Sequence, residues 1–327
     1  NGVILITTKK GAAGKTKVSY NGYYSINSVA AYPEIMNLSE WADFKREAYR
    51  ADGQWASSAD DAKIFGSAYN AVMNNQDVDW IDLIMKNGSQ MSHSVSVSSG
   101  TDRTNFNLSF EYMKEDGLVK LDDMKRYNTT LSLSHKVFDN LRLNANMVYT
   151  YMDQNIRRDP FNRSIYYSPY GNVYNEDGSI NVLPFDDGQT ISPIAEEVPG
   201  AYKNNKLTNH FVGSLGVNWE IIKNLTLIST FGFDQKSARL GHFADQYTLD
   251  GAGNYSLADV TTNSDSNWSW ESTLSYLFDA GKHSFNIMAG SGLYKNTSEE
   301  YYGGGHDLVS STMLFYNLGA LQNSQQI

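Results

Sequence analysis

Gly14-Lys15-Thr16 follows a short apolar stretch, residues 3–6, and invites comparison with the phosphate-binding signature GxxxxGK[ST]. That signature cradles phosphates on the amides of a loop that opens into a helix. Its first glycine would fall at position 9, which is Lys9, and the residues after Thr16 alternate as a strand. No nucleotide cradle is built here. The six histidines, His93, His135, His210, His242, His283 and His306, include no pair at the i, i+4 spacing of a helical metal site. The acidic pairs Asp122-Asp123, Asp186-Asp187 and Glu196-Glu197 fall in loop-like stretches and read as solvated charges. Sequence neighbours in a loop have no fixed separation, so they make a poor general acid and base. The expectation is no catalytic residue, no metal and no cofactor, so the chain reads as no enzyme. One cluster points to binding instead: Tyr166, Tyr167, Tyr170 and Tyr174 supply rigid amphipathic rings at low entropic cost, and sugar rings stack on such faces. These four tyrosines are the candidate substrate-binding residues, against the alternative that they pack the long loop against itself or against the barrel mouth.

The elements that would position them follow from composition and periodicity. Of 327 residues, 41% are hydrophobic, 19% charged and 13% aromatic, which is too aromatic for disorder and too polar for a helical membrane protein. The net charge of -10 offers no basic field for nucleic acid. With no cysteine there is neither a disulfide framework nor a thiolate site. Period-two alternation dominates, most clearly in Asn105-Phe106-Asn107-Leu108-Ser109-Phe110-Glu111-Tyr112. It recurs at residues 18–26, 91–97, 131–137, 141–151, 211–219, 225–233, 268–278 and 285–293, giving about nine strands of the length that crosses a bilayer. Glu111, Arg142 and Glu271 fall in the polar phase, expected to face a lumen, and Phe110, Leu143 and Leu274 in the apolar phase, expected to face lipid.

Short turns at residues 99–102, 138–140, 221–224 and 279–282 alternate with long segments at 27–90, 114–125, 153–209, 235–267 and from 296 onward. In an antiparallel meander this puts every short turn at one end, the asymmetry of outer-membrane barrels. Aromatic residues recur toward both strand ends, as two membrane interfaces require, and His93, His135 and His283 share the apolar phase near the short turns. Asn37-Leu38-Ser39-Glu40 forms a capping box that predicts a helix before Gly53, with a second helix at about residues 60–73.

With these residues in view, the chain resembles the SusC/RagA family of TonB-dependent outer-membrane transporters of Bacteroidetes. The resemblance rests on Asn1-Gly2-Val3-Ile4-Leu5-Ile6-Thr7-Thr8-Lys9-Lys10-Gly11, on Lys17-Val18-Ser19-Tyr20-Asn21-Gly22-Tyr23-Tyr24, and on Asp79-Trp80. It extends to Ser92-His93-Ser94-Val95-Ser96-Val97-Ser98-Ser99-Gly100, residues 112–117 and Arg126-Tyr127-Asn128. It implies an all-β fold: the N-terminal part of a large antiparallel up-and-down transmembrane β-barrel, incomplete here, with helices in the first long loop. Residues 1–15 would be the last strand of a plug domain and its hinge, and residues 16–327 the N-terminal portion of the barrel, a piece of a longer precursor. The family further implies the bacterial outer membrane, with contacts to outer-membrane lipid and a SusD-like lipoprotein. It also implies the TonB complex, reached through the N-terminal region, and import of an oligomeric nutrient, glycan or peptide. A soluble or surface all-β binding protein or adhesin, an unplugged outer-membrane porin and a barrel enzyme are the alternatives.

Overall fold

The computed structural model describes residues 14–158 and 160–326. Ten strands pair in sequence order in one antiparallel meander among the described residues. They are β1 (Gly14–Asn27), β2 (Gly88–Gly100), β3 (Thr104–Asp116), β4 (Asp123–Phe138), β5 (Leu141–Asn155), β6 (Tyr202–Ile222), β7 (Leu225–Ala244), β8 (Leu257–Ala280), β9 (His283–Leu308) and β10 (Leu321–Gln326). The strand expected at residues 3–6 and most of its hinge lie outside the described residues. Asn224 and Gly281 take the left-handed backbone that tight hairpin turns demand, at φ +66° and +67°.

Register fixes the two faces. Val95 opposes Phe110, Leu131 opposes Met147, and Leu215 opposes Phe231, which opposes Trp270. The apolar phases of β1–β9 therefore share one face, with Phe110, Leu143 and Leu274 on it. The other face carries a polar lattice. Ser92 Oγ and Asn128 Nδ2 both donate to Glu111, at 3.0 and 2.7 Å. Arg142 donates to Ser134 at 3.2 Å, and Ser132 to Asn146 at 2.9 Å. Single hydroxyls and amides thus bond one another across the strands, while the apolar face carries mainly aliphatic and aromatic side chains. Leu215 is 63% exposed on that face, so, if that face meets lipid as expected, Leu215→Arg in the whole protein should cost about 2–4 kcal/mol. Ser214→Arg, one residue away on the polar face, should cost far less. Reconstitution into lipid vesicles followed by urea titration checks the contrast.

The apolar band is bounded by rings. Tyr112, Tyr127 and Tyr151 stand on one register row with centroids 5.1 and 6.1 Å apart. Its upper limit moves one row at a time toward the short turns: from Met91 on β2 to these tyrosines, then to Phe211, to Phe233 and Trp268, and to Leu293 on β9. The lower limit moves in step, from Phe106 through Leu141 and Trp219 to Leu225 and then Phe285.

Three expectations need correction. Residues 202–209, 235–244, 257–267 and 296–308 are strand, not loop, because backbone pairing continues where polar side chains interrupt the hydrophobic alternation. His93 sits in mid-strand opposite Tyr112, not near a short turn, and bonds Tyr20 at 2.7 Å. The last strand is β10, which pairs with β9 over residues 303–308 and leaves the rest of that edge unpaired among the described residues.

Candidate functional site at the long-loop end

The first long connection holds α1 (Leu38–Ala51), capped by the Asn37/Glu40 box, then α2 (Asp61–Phe65), α3 (Tyr69–Met73) and α4 (Trp80–Ile84). The single helix expected at residues 60–73 is broken at Gly66, where φ is +55°. Asp61 ties α2 to α1 by accepting from Arg46 at 2.7 and 3.2 Å and from the Trp55 indole at 2.7 Å. Ala42, Ile64, Phe65 and Ala68 form a small core beneath.

This connection is joined to its neighbours. The Lys86 amide donates to Leu118 O and the Lys120 amide to Ile84 O, at 2.8 and 3.2 Å. Trp80, 1% exposed, donates from Nε1 to Ser168 O at 3.0 Å and packs on Tyr167 and Phe185. Gly171, at φ +140°, passes so near that a Cβ there would lie 3.1 Å from the Trp80 ring.

Residues 156–201 are anchored by Arg157. Its side chain and that of Glu196 are both 0% exposed and bond at 2.7 Å through Nε. Nη1 reaches Glu197 at 3.1 Å and Nη2 donates to Pro193 O. Glu196 is therefore not a solvated loop charge. Asp122 accepts from the Arg157 amide, while Asp186 and Asp187 are exposed.

A second charged knot ties residues 245–256 to the wall. Asp250 meets His242 Nε2 at 3.1 Å, Arg163 at 3.2 Å and Arg158 at 3.7 Å, and His242 Nδ1 meets Asp259 at 3.0 Å. His242 and Asp259 share the polar phase of β7 and β8, so these connections fold over the polar face. The opposite face has its own cover: residues 309–320 fold back so that Phe315 lies on Gly241, where any Cβ would meet its ring at 2.3 Å, and joins Phe243 and Ala258. Burial alone would push the Asp250 carboxyl up, but the hydrogen bond from His242 and the nearby arginines hold it below the ordinary value of 3.8. A carboxylate depressed on folding stabilises above its unfolded pKa and loses that contribution as pH falls through its folded one. Relative to the other loops, pepsin should therefore cut residues 245–256 faster as pH falls into the acid range where Asp250 takes up its proton, and Asp250→Asn should show that faster cutting already above this range.

The four tyrosines separate in space. Tyr167 donates to Ile191 O and packs on Trp80, and Tyr170 packs edge-on against Phe185 at 5.0 Å and on Trp41 at 5.4 Å. Tyr166 and Tyr174 present their rings to solvent, 84% and 53% exposed. Among the described residues no group of three or more potential ligands is placed to hold a metal ion. The surface is built to hold and present side chains. Periodicity carries no trace of the Arg157 and His242 knots, whose partners lie 36–40 and 8–17 residues away.

No family model matches the sequence. The chain is 26% identical to a TonB-dependent receptor of Formosa agariphila over 309 residues, covering 91% of this chain and 30% of that protein. It is 25% identical to the TonB-dependent receptor SusC of Bacteroides thetaiotaomicron over 315 residues, 89% of this chain and 30% of SusC. The chain thus spans about a third of the length of these curated relatives. Among solved structures, the RagAB peptide transporter superposes with a TM-score of 0.78 at 16% identity, covering 98% of this chain and 40% of that one. That likeness is one of fold.

Proposed function

From the premise that this chain belongs to the SusC/RagA-type family of TonB-dependent outer-membrane receptors, we propose that it forms part of the wall and mouth of a nutrient importer. The family is one of receptors, and the chain is not an enzyme. In this reading residues 16–327 are barrel wall and residues 1–15 close a plug that fills the lumen. The observation that carries it is the two-faced sheet: a lipid-facing apolar band bounded by rings, and behind it a polar lattice roofed at one end by long, mutually anchored connections. A soluble adhesin has no use for so exposed an apolar face, and an unplugged porin no need of energy.

The substrate is an oligomer, glycan or peptide, delivered to the mouth with a SusD-like lipoprotein, and TonB supplies the work. Tyr166 and Tyr174 are the residues of the tyrosine cluster free to meet it. Growth on a panel of glycans and peptides tests this. Deleting the gene should abolish growth on one class of oligomer, deleting TonB should do the same, and Tyr166→Ala with Tyr174→Ala should raise the concentration needed for half-maximal growth. Growth that survives loss of TonB would point to the porin.

A further inference from the structure

The apolar face is not uniformly flat. A groove of about 600 Å³ crosses it inside the band. Among the residues lining it, Ala145 and Ser229 are small, and Leu143, Leu215, Phe231 and Trp270 are large. These four large residues are 42%, 63%, 43% and 51% exposed. Ala145, Leu215, Phe231 and Trp270 lie on one register row, and Leu143 and Ser229 on the next row toward the short turns. The indole is fixed: Trp270 Nε1 donates to Ser229 Oγ at 2.9 Å, and Ser229 Oγ meets Ser272 Oγ at 2.8 Å. Each polar atom there is satisfied locally, as a hydrocarbon environment requires. At the end nearest the short turns the groove meets His135, whose Nδ1 bonds Thr104 Oγ1 at 2.7 Å. Phe138, three residues on, is 63% exposed at the level of the lower ring belt.

We propose that this groove is a site for one phospholipid of the leaflet on the short-turn side, with an acyl chain along Ala145 between Leu143 and Leu215, and the headgroup at His135. The proposal rests on the membrane-spanning reading of the sheet. Its occupant follows from position: the groove opens from a surface bounded above and below by aromatic belts, and what lies against such a surface is hydrocarbon. An acyl chain fills the depression with no charge to bury, and a lipid held on small residues between fixed rings loses less freedom at Trp270 than one on mobile side chains. The imidazole supplies a polar contact at the depth of the glycerol and phosphate.

The test uses the whole receptor, extracted in mild detergent and stripped by detergent exchange, with bound phospholipid counted by native mass spectrometry. Wild type should retain one phospholipid that Ala145→Phe lacks. Ala289→Phe, equal bulk on the same face outside the groove, should retain it. Equal retention by wild type and Ala145→Phe, or equal loss from both variants, overturns the site. A second measurement needs no variant. Tryptophan emission of the wild type should be quenched by a phospholipid with brominated chains in a step that saturates at one lipid per protein. Quenching that only rises in proportion to bulk lipid overturns the proposal while leaving the barrel reading intact. A whole receptor that stays soluble without detergent overturns both.

Discussion

Arg157→Ala is expected to free residues 156–201 from the polar face. Removing one partner of a fully buried ion pair costs about 3–5 kcal/mol, because the other charge stays behind without compensation. Here the loss is compounded, since Arg157 also meets Glu197 and Pro193 O. Burial pushes the Glu196 carboxyl upward, and Arg157 opposes that push. Without the arginine, Glu196 should take up a proton or pull its loop toward water. Limited proteolysis of whole cells reads the outcome: cleavage within residues 156–201 should rise steeply, while the strands remain resistant. Arg157→Met with Glu196→Leu leaves no bare charge and should restore most of the resistance. If the single replacement is cut no faster than wild type, the knot does not anchor the loop.

Trp80→Ala is the second large effect. A fully buried tryptophan truncated to alanine loses about 3–5 kcal/mol from transfer and cavity terms together. Its ring fills the space among Tyr167, Phe185 and the backbone of Gly171, and its Nε1 bond to Ser168 O joins two connections 88 residues apart. Trp80→Phe keeps much of the packing and removes the bond, so it should cost about 1 kcal/mol more than the change in size alone. Hydrogen exchange separates the two: the alanine variant should expose amides in both residues 28–87 and 156–201, because each loses its contact with the other. Exchange confined to α4 would show that the connections are held together elsewhere.

These two residues also mark where sequence reading stops. The strands of the apolar band were legible because an apolar face backed by a polar one imposes a strict period of two, as in residues 105–112. The capping box at Asn37 and Glu40 was legible because its partners are three residues apart. Beyond the band polar residues enter both phases of β6–β9, so the alternation breaks although the pairing continues. The knots at Arg157 and His242 join residues by folding of long loops, and a glutamate destined for burial looks in sequence like any solvated one. The tyrosine cluster was visible as composition. Its division into packed Tyr167 and Tyr170 and exposed Tyr166 and Tyr174 is a matter of which ring lands on Trp80, Trp41 or Phe185.

The stepwise displacement of the apolar band contains a measurement of how the strands stand in the membrane. From Met91 on β2 to Leu293 on β9 the upper limit moves four register rows across seven strand spacings. Two residues per row at ~3.4 Å and strands ~4.8 Å apart make this an inclination of about 40° from the bilayer normal. Closed outer-membrane barrels have strands inclined by roughly 35–45°. At that slant about ten residues climb roughly 25 Å, the height of the lipid-facing band of such barrels. The lengths of the alternating segments and the offsets between them thus combine into one reading of bilayer thickness.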